Sequence, residues 1–318
     1  MTTPTTAATD SALPYTEAWI AGPNAHQFYT RTYAASPPRA VIIFVHGFGE
    51  HVGRYEASFP AFPKRGVTLF AYDQRGFGRT ALDAEHKSKD AAYGKTSWAE
   101  QLGDIEWWVK YLVKEYPGVP VFLMGHSMGG GLACAFPTRG SSGPPSSDTV
   151  KLLSGVIACS PCIQLTNPKP KIVVFAGSQL GRILPNLAIP AGVNPDDLSR
   201  NPPRNQAYMN DPLIKPTGTL KGVDDMLNGG EKLLETGWKH WPKTLPTLFV
   251  HGTADRVTSP KASESFFYKI QSEDKTYTPY PGAYHELFQE IDNIPEKLSD
   301  EIISWVEAHL STTTGAKL

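Results

Sequence analysis

Short apolar runs separated by segments of helical periodicity constrain the fold of this chain more than any other feature. Six runs predict buried strands: residues 41–45, 67–72, 119–124, 155–158, 247–250 and 276–280. The segments 97–116 and 296–310 carry apolar residues at helical spacing. This alternation predicts an α/β fold with a mostly parallel central sheet and helices on both faces. Residues 17–33, divided by a Gly-Pro-Asn turn, predict an antiparallel hairpin at one sheet edge.

The alternation is interrupted between residues 161 and 242, where prolines are frequent and strand-like runs are absent. We therefore expect 161–242 to form a cap, inserted into a core made of residues 15–160 and 243–310. Within the cap, residues 171–184 and about 220–236 predict helices.

Three segments are predicted to be flexible. Residues 138–149 are small, polar and rich in Gly, Pro and Ser, which is typical of a surface loop. The ends of the chain, 1–14 and 311–318, lie outside the predicted core elements.

Composition excludes several classes of protein. The formal net charge is −1, from 30 basic and 31 acidic residues without a basic cluster, so we expect no nucleic-acid partner. No apolar run approaches the roughly 18 residues that span a bilayer, and the N-terminus lacks the pattern of a signal peptide. The expected location is therefore cytoplasmic. The three cysteines are an odd set, and Cys159 and Cys162 follow a predicted core strand, which favours buried structural thiols over a redox pair.

The stretch Gly125-His126-Ser127-Met128-Gly129 fits a Gly-x-Ser-x-Gly turn between a strand and a helix. Such a turn exposes the serine hydroxyl, so Ser127 is the candidate nucleophile. The backbone N–H of Met128 is a candidate donor to an oxyanion. A second donor is expected from the loop "HGFGEH" after the strand 41–45, at the backbone N–H of Phe48.

A serine nucleophile needs a base, and the base needs an acid that orients it. Asp255 follows the strand 247–250, and His285 follows the strand 276–280, so both are expected at the carboxyl edge of the sheet. The order Ser127, Asp255, His285 along the chain, with each residue at a strand end, favours a catalytic triad. Rival acids without a preceding strand are Asp211, Asp224 and Asp225.

Other candidate motifs favour structural roles. His46, His126 and His251 adjoin glycines at strand ends and lack the spacing of metal ligands, so we predict no metal site. The stretch 72–80 contains Gly76 and Gly78 but lacks the third glycine of a dinucleotide fingerprint.

Several motifs together resemble the monoacylglycerol lipases of the serine α/β-hydrolase family. The matching stretches, between about residues 15 and 310, are "HGFGEHVGRY", "DQRGFGRT", "GHSMGG", "SRN", "DPLI", "HGTADRV" and "GAYHEL". The resemblance implies an α/β-hydrolase fold with a cap, and cleavage of monoacylglycerol to fatty acid and glycerol through an acyl-enzyme, without metal or organic cofactor. It also implies that Glu50 and Arg54 line the narrow end of the pocket, near the glycerol head group. Animal members place a second histidine where this chain has Phe288, so head-group contacts are expected to differ.

Alternatives remain at this stage. The same triad serves broader carboxylesterases and lysophospholipases, and a non-catalytic binding module is a further possibility. Glu50 and Arg54 could instead form a surface ion pair. The apolar segment 171–184 either packs on both faces or meets a lipid surface, which would give peripheral contact with membranes or lipid droplets. The expected partners are monoacylglycerol and related single-chain acyl esters.

Overall fold

The computed structural model describes residues 13–139, 143, 145–168 and 170–310. The two predicted flexible ends, 1–14 and 311–318, lie outside these residues except for Leu13 and Pro14. Within the described residues the strands are β1 Thr16–Ala21, β2 Gln27–Tyr33, β3 Ala40–Val45, β4 Val67–Tyr72, β5 Val121–His126, β6 Leu153–Cys159, β7 Ala188–Pro190, β8 Thr217–Thr219, β9 Thr247–Gly252 and β10 Lys275–Tyr280. The α-helices there are α1 Gly78–Leu82, α2 Trp98–Glu115, α3 Met128–Ala135, α4 Ser147–Val150, α5 Lys171–Ile183, α6 Pro202–Asn210, α7 Leu220–Glu235, α8 Pro260–Lys269 and α9 Ile294–Ala308.

The central sheet has the strand order β1-β2-β4-β3-β5-β6-β9-β10. The β2 strand is antiparallel to β1 and to β4, and the other neighbouring strands are parallel. The predicted α/β fold, the six strands and the edge hairpin are therefore confirmed. Two strands start two residues away from their predicted positions: β5 begins later, at Val121, and continues to His126, and β6 begins earlier, at Leu153.

Each face of the sheet carries its own hydrophobic core. Alternation along the fully buried strand β3 sends Val41, Ile43 and Val45 to one core and Ile42 and Phe44 to the other. Helices α2, α3 and α8 contribute to the first core, and α9 contributes to the second. Because both faces are covered, the central strands read as continuous apolar runs in the sequence.

Local sequence fixes where α2 begins and which side it buries. The Ser97 hydroxyl accepts a hydrogen bond from the backbone N–H of Glu100 and donates one to the Glu100 carboxylate, which satisfies a donor at the helix start. Residues at helical spacing, among them Leu102, Ile105 and Trp108, are buried against the sheet. Their burial stabilises the helix by about 1.5–3 kcal/mol for each large apolar side chain.

The chain between the adjacent strands β6 and β9, called the inserted segment below, contains α5, α6 and α7, and it also contains strands that the sequence did not predict. β7 and β8 form a small antiparallel sheet in which Ala188 pairs with Thr219 and Pro190 with Thr217. Three-residue strands are too short to give an alternating apolar pattern, so only the pairing of distant segments reveals them. Across the described part of the chain, the helices are all too short or too polar to cross a membrane.

The segment 138–149, predicted as a flexible loop, is structured at both ends. Thr138 closes a buried helical turn, and its hydroxyl donates to the backbone carbonyl of Ala135. At the other end Ser146 caps α4, and its hydroxyl donates to the Glu106 carboxylate. The loop prediction therefore fails at these ends, and its centre includes residues 140–142 and 144, which lie outside the described residues.

Candidate active site

Ser127 occupies a strained turn between β5 and α3. Its backbone angles are φ 53° and ψ −118°, outside the regions that most residues adopt. The turn is tight because a Cβ atom on Gly125 would lie 2.1 Å from the carbonyl oxygen of Gly129. On Gly129 it would lie 2.0 Å from the carbonyl oxygen of Val45. Glycine is thus required at both positions flanking the serine, as in a nucleophile turn.

Asp255 and His285 meet at the carboxyl edge of the sheet. His285 Nδ1 lies 2.7 Å from Asp255 Oδ2, and both side chains are buried. The other carboxylate oxygen, Oδ1, accepts hydrogen bonds from the backbone N–H groups of Val257 and Thr258. Since Nδ1 is engaged by the acid, Nε2 is the ring nitrogen left for Ser127, which lines the same cavity as His285.

The rival acids have partners elsewhere. Asp211 Oδ2 lies 2.8 Å from His51 Nε2, in a contact between the inserted segment and the core. Asp224 accepts from Asn228, and Asp225 accepts from Lys221, both within α7. Each of these carboxylates is therefore already occupied away from His285.

The electrostatics of the pair favour an ionised acid. Burial by itself favours the neutral form of Asp255, but the neighbouring His285 and His251 hold the pKa of Asp255 well below its ordinary value. Burial lowers the pKa of His285, and the Asp255 carboxylate outweighs this effect, so that the net pKa of His285 is raised. Nearby His126 lies with its ring centre 4.8 Å from that of His285, and burial lowers its pKa to about 3.

The two expected oxyanion donors flank the nucleophile. Phe48 follows β3 in a loop that lines the cavity, and Met128 is the first residue of α3, where backbone N–H groups lack helical partners. The loop is fastened by Glu50, whose Oε1 accepts a 2.5 Å hydrogen bond from the backbone N–H of Gly47. A Cβ atom on Gly47 would lie 2.7 Å from that oxygen and 3.1 Å from the Cβ of Ser127.

Glu50 and Arg54 form a buried ion cluster with Glu286, so the alternative of a surface pair is wrong. Arg54 donates to Glu50 Oε2 at 2.7 Å and binds both oxygens of Glu286, at 2.5 and 2.7 Å. The hydroxyl of Tyr55 donates a hydrogen bond to Glu50 Oε1, at 2.7 Å. Although burial favours the neutral acid, Arg54 and His126 lower the pKa of Glu50 to about 2.

The inserted segment covers this site. Val193, Leu198 and Tyr208 line the cavity together with Ser127 and His285. The cavity is narrow, with a volume of about 30 Å³, which is room for about one water molecule.

Sequence reasoning missed several residues of the site. His251, predicted as structural, lies with Nε2 2.9 Å from Asp255 Oδ2, and His126 lines the cavity. Glu286 directly follows His285, and this adjacency was the available signal. Two other predictions hold: His46 binds the neighbouring backbone, and all three cysteines are buried thiols. Phe288 packs against the rings of Phe44 and Tyr55. Among the residues that the structure describes, no cluster of three or more His, Cys, Asp or Glu could hold a metal ion.

Comparison with known proteins identifies relatives over most of the chain. A family model described as serine aminopeptidase, S33, matches residues 36–292. A putative monoglyceride lipase of Schizosaccharomyces pombe is 34% identical over 288 residues, which are 88% of this chain and 71% of that protein. The monoglyceride lipase of Homo sapiens is 31% identical, with 86% of this chain and 84% of that protein aligned.

Solved structures show the same fold. A soluble variant of monoglyceride lipase from Saccharomyces cerevisiae, in complex with a substrate analog, matches with a TM-score of 0.82 at 24% identity, over 96% of this chain and 98% of that one. The monoacylglycerol lipase of Paleococcus ferrophilus matches with a TM-score of 0.75 at 29% identity, over 89% of this chain and 99% of that one. The chain therefore belongs to the serine α/β-hydrolase family that includes the monoglyceride lipases.

Proposed function

We propose that this protein hydrolyses monoacylglycerol to a free fatty acid and glycerol through an acyl-enzyme on Ser127. The observation that carries the proposal is the joint position of three groups around one covered cavity. Ser127 lies in a strained turn, His285 is oriented by Asp255, and the buried carboxylates Glu50 and Glu286 line the same cavity.

The proposed first step is acyl transfer. His285 Nε2 takes the proton of Ser127 as its oxygen attacks the ester carbonyl, and the backbone N–H groups of Phe48 and Met128 stabilise the oxyanion that forms. His285 then gives the proton to the glycerol oxygen, which leaves. In the second step His285 takes a proton from water, the resulting hydroxide attacks the acyl-enzyme, and the fatty acid is released with Ser127 reprotonated.

The buried ion cluster supports recognition of a glycerol head group. Glu286 accepts two hydrogen bonds from Arg54, and a carboxylate can accept about four, so capacity remains for glycerol hydroxyls. A triacylglycerol has no free hydroxyl to offer, and a diacylglycerol has one where a monoacylglycerol has two. The cluster therefore favours monoacylglycerol over di- and triacylglycerols.

We propose further that α5 is a lid that contacts a membrane or lipid-droplet surface. Ile172 is 73% exposed, Phe175 61% and Ile183 76%, whereas Gly181 on the opposite side is buried near Leu220 of α7. A one-sided apolar helix of this kind binds at the interface of a bilayer rather than across it.

The first test of the function is Ser127→Ala, assayed on monoacylglycerol in detergent micelles. We expect turnover to fall at least about a hundredfold, because the hydroxyl is the nucleophile. The melting temperature should not change, because the substitution removes only one small group. Labelling by a fluorophosphonate should also be lost. The matched control is Ser265→Ala, an exposed serine on α8, which should keep both activity and labelling. Residual turnover above a hundredth of wild type in Ser127→Ala would exclude Ser127 as nucleophile.

The second test is substrate selectivity of the wild-type protein. The assay compares mono-, di- and triacylglycerols of one acyl chain and the matching lysophospholipid. The rate on monoacylglycerol should be much higher than the rates on the other three substrates. The loss of buried hydrogen bonds predicts a difference of roughly tenfold to a hundredfold. Comparable rates on tri- and monoacylglycerol would overturn the proposed substrate, and higher rates on lysophospholipid would favour the broader esterase alternative.

A further inference from the structure

The carboxylate of Asp255 is shared by two histidines. His251 lies at the end of β9, with Nε2 2.9 Å from Asp255 Oδ2, the same oxygen that His285 Nδ1 approaches at 2.7 Å. The hydroxyl of Thr258 also lies 2.9 Å from this oxygen and 3.2 Å from His285 Nδ1. All four side chains are buried, so water does not substitute for any of these contacts.

Neighbouring groups fix the tautomer of His251. Its Nε2 faces the Asp255 carboxylate and, at 3.3 Å, the backbone carbonyl of Thr258, and both of these groups only accept. Its Nδ1 lies 3.0 Å from the hydroxyl of Ser263 on α8, which can donate. The proton therefore belongs on Nε2, and His251 is a donor to the acid.

We propose that His251 is a positioning residue of the triad, a second imidazole that orients the Asp255 carboxylate and sets how strongly it holds His285. This inference rests on the proposed ester hydrolysis and assigns a residue beyond the three expected catalytic ones. A donor on Oδ2 withdraws charge from the oxygen that faces His285 Nδ1, and it limits rotation of the carboxylate. His285 is thereby kept aligned and is less tightly held in its protonated form.

The proposal gives a definite direction for the pH dependence. The group that titrates is His285, and the charged or titratable groups facing it are Asp255, Glu286, Glu50 and His126. Without the donor from His251, Asp255 holds more negative charge toward His285 and stabilises the imidazolium. Because the neutral imidazole is the base, activity should then be lost at a higher pH than in the wild type.

The experiment compares His251→Leu with His251→Gln, using kcat/KM on a soluble p-nitrophenyl ester from about pH 5 to 9. Leucine keeps much of the volume of histidine and removes the donor. We expect the acid limb of the profile, where kcat/KM falls on acidification, to move up by about half to one pH unit, with roughly tenfold lower kcat/KM at pH 7. Glutamine can still donate to Asp255, so it should restore the limb to near its wild-type position.

The matched control is His309→Leu, which removes another buried histidine, paired with Asp274 at 3.0 Å and placed just after α9. Its acid limb should stay at the wild-type position. An unmoved limb in His251→Leu would overturn the proposal, and so would a loss in His251→Gln equal to that in His251→Leu, because a purely structural role predicts these results.

A measurement on the wild-type protein covers the case in which His251→Leu does not fold. In the ¹⁵N-histidine spectrum, assigned through His251→Gln, we expect His251 protonated on Nε2 and unprotonated on Nδ1 at neutral pH. The Nδ1–H tautomer would overturn the proposal. A wild-type protein without ester turnover would refute the proposed function instead, while this spectrum would still decide whether His251 donates to Asp255.

Discussion

Replacing Glu50 by alanine should impair the oxyanion loop as well as the head-group pocket. Glu50 Oε1 accepts from the backbone N–H of Gly47 and from the hydroxyl of Tyr55, and both donors are buried. Removing the carboxylate leaves these donors unpaired, at about 1–3 kcal/mol each, which gives about 2–6 kcal/mol of lost stability. Arg54 keeps its two hydrogen bonds to Glu286, so no buried cation is left alone.

The effect on catalysis follows from the position of Gly47. The Gly47 peptide directly precedes Phe48, whose N–H is the expected donor to the oxyanion, and losing one such donor costs roughly a hundredfold to a thousandfold in kcat. We therefore expect Glu50→Ala to lower kcat on a p-nitrophenyl ester by about a hundredfold. The loss on a monoacylglycerol of the same acyl chain should be larger still, because head-group contacts are lost as well.

The assays are urea unfolding and steady-state kinetics on both esters. Glu56→Ala is the matched control, since its side chain is 48% exposed and pairs with Arg31 outside the site, and it should change neither measurement by much. Unchanged stability together with unchanged kcat on the p-nitrophenyl ester would refute a role for Glu50 in holding the loop. If kcat falls only on monoacylglycerol, Glu50 acts in head-group recognition and not in holding the loop.

Three further predictions follow from the site and its cover. Because neutral His285 is the base and its pKa is raised above the ordinary 6.5, kcat/KM should fall on acidification with a midpoint above pH 6.5, and a flat profile would exclude His285 as base. Phe175→Asp on the exposed side of α5 should abolish binding to lipid vesicles in a flotation assay while sparing a soluble short-chain ester, and unchanged flotation would refute the lid proposal. Gly129→Ala should destabilise the protein by at least about 1–3 kcal/mol in urea, since its Cβ would lie 2.0 Å from the Val45 carbonyl oxygen, and wild-type stability would contradict the tight-turn argument.

In the inserted segment, residue order predicts a helix but not which of its sides is covered. The apolar pattern of 171–184 predicts α5 correctly, because a helix is built from neighbours three and four residues apart. The same pattern could not decide between packing and exposure, since that depends on what lies opposite the helix. The structure leaves Ile172 and Ile183 exposed and pairs α7 with the other side through Ser178 and Asp224.

The sequence by itself determined the α/β fold and the strand ends where functional side chains were sought, because both follow from local periodicity and from short motifs such as Gly125 to Gly129. Only the tertiary structure decided that Asp255 serves two histidines, that Arg54 is held between two buried carboxylates, and that β7 pairs with β8. Some partners in these contacts come from separate elements of the fold. In the others, the distance between the groups and the tautomer of the histidine decide the contact, and residue order specifies neither. Burial makes these contacts strong, because water does not reach a buried charge or donor and the protein must supply its partner.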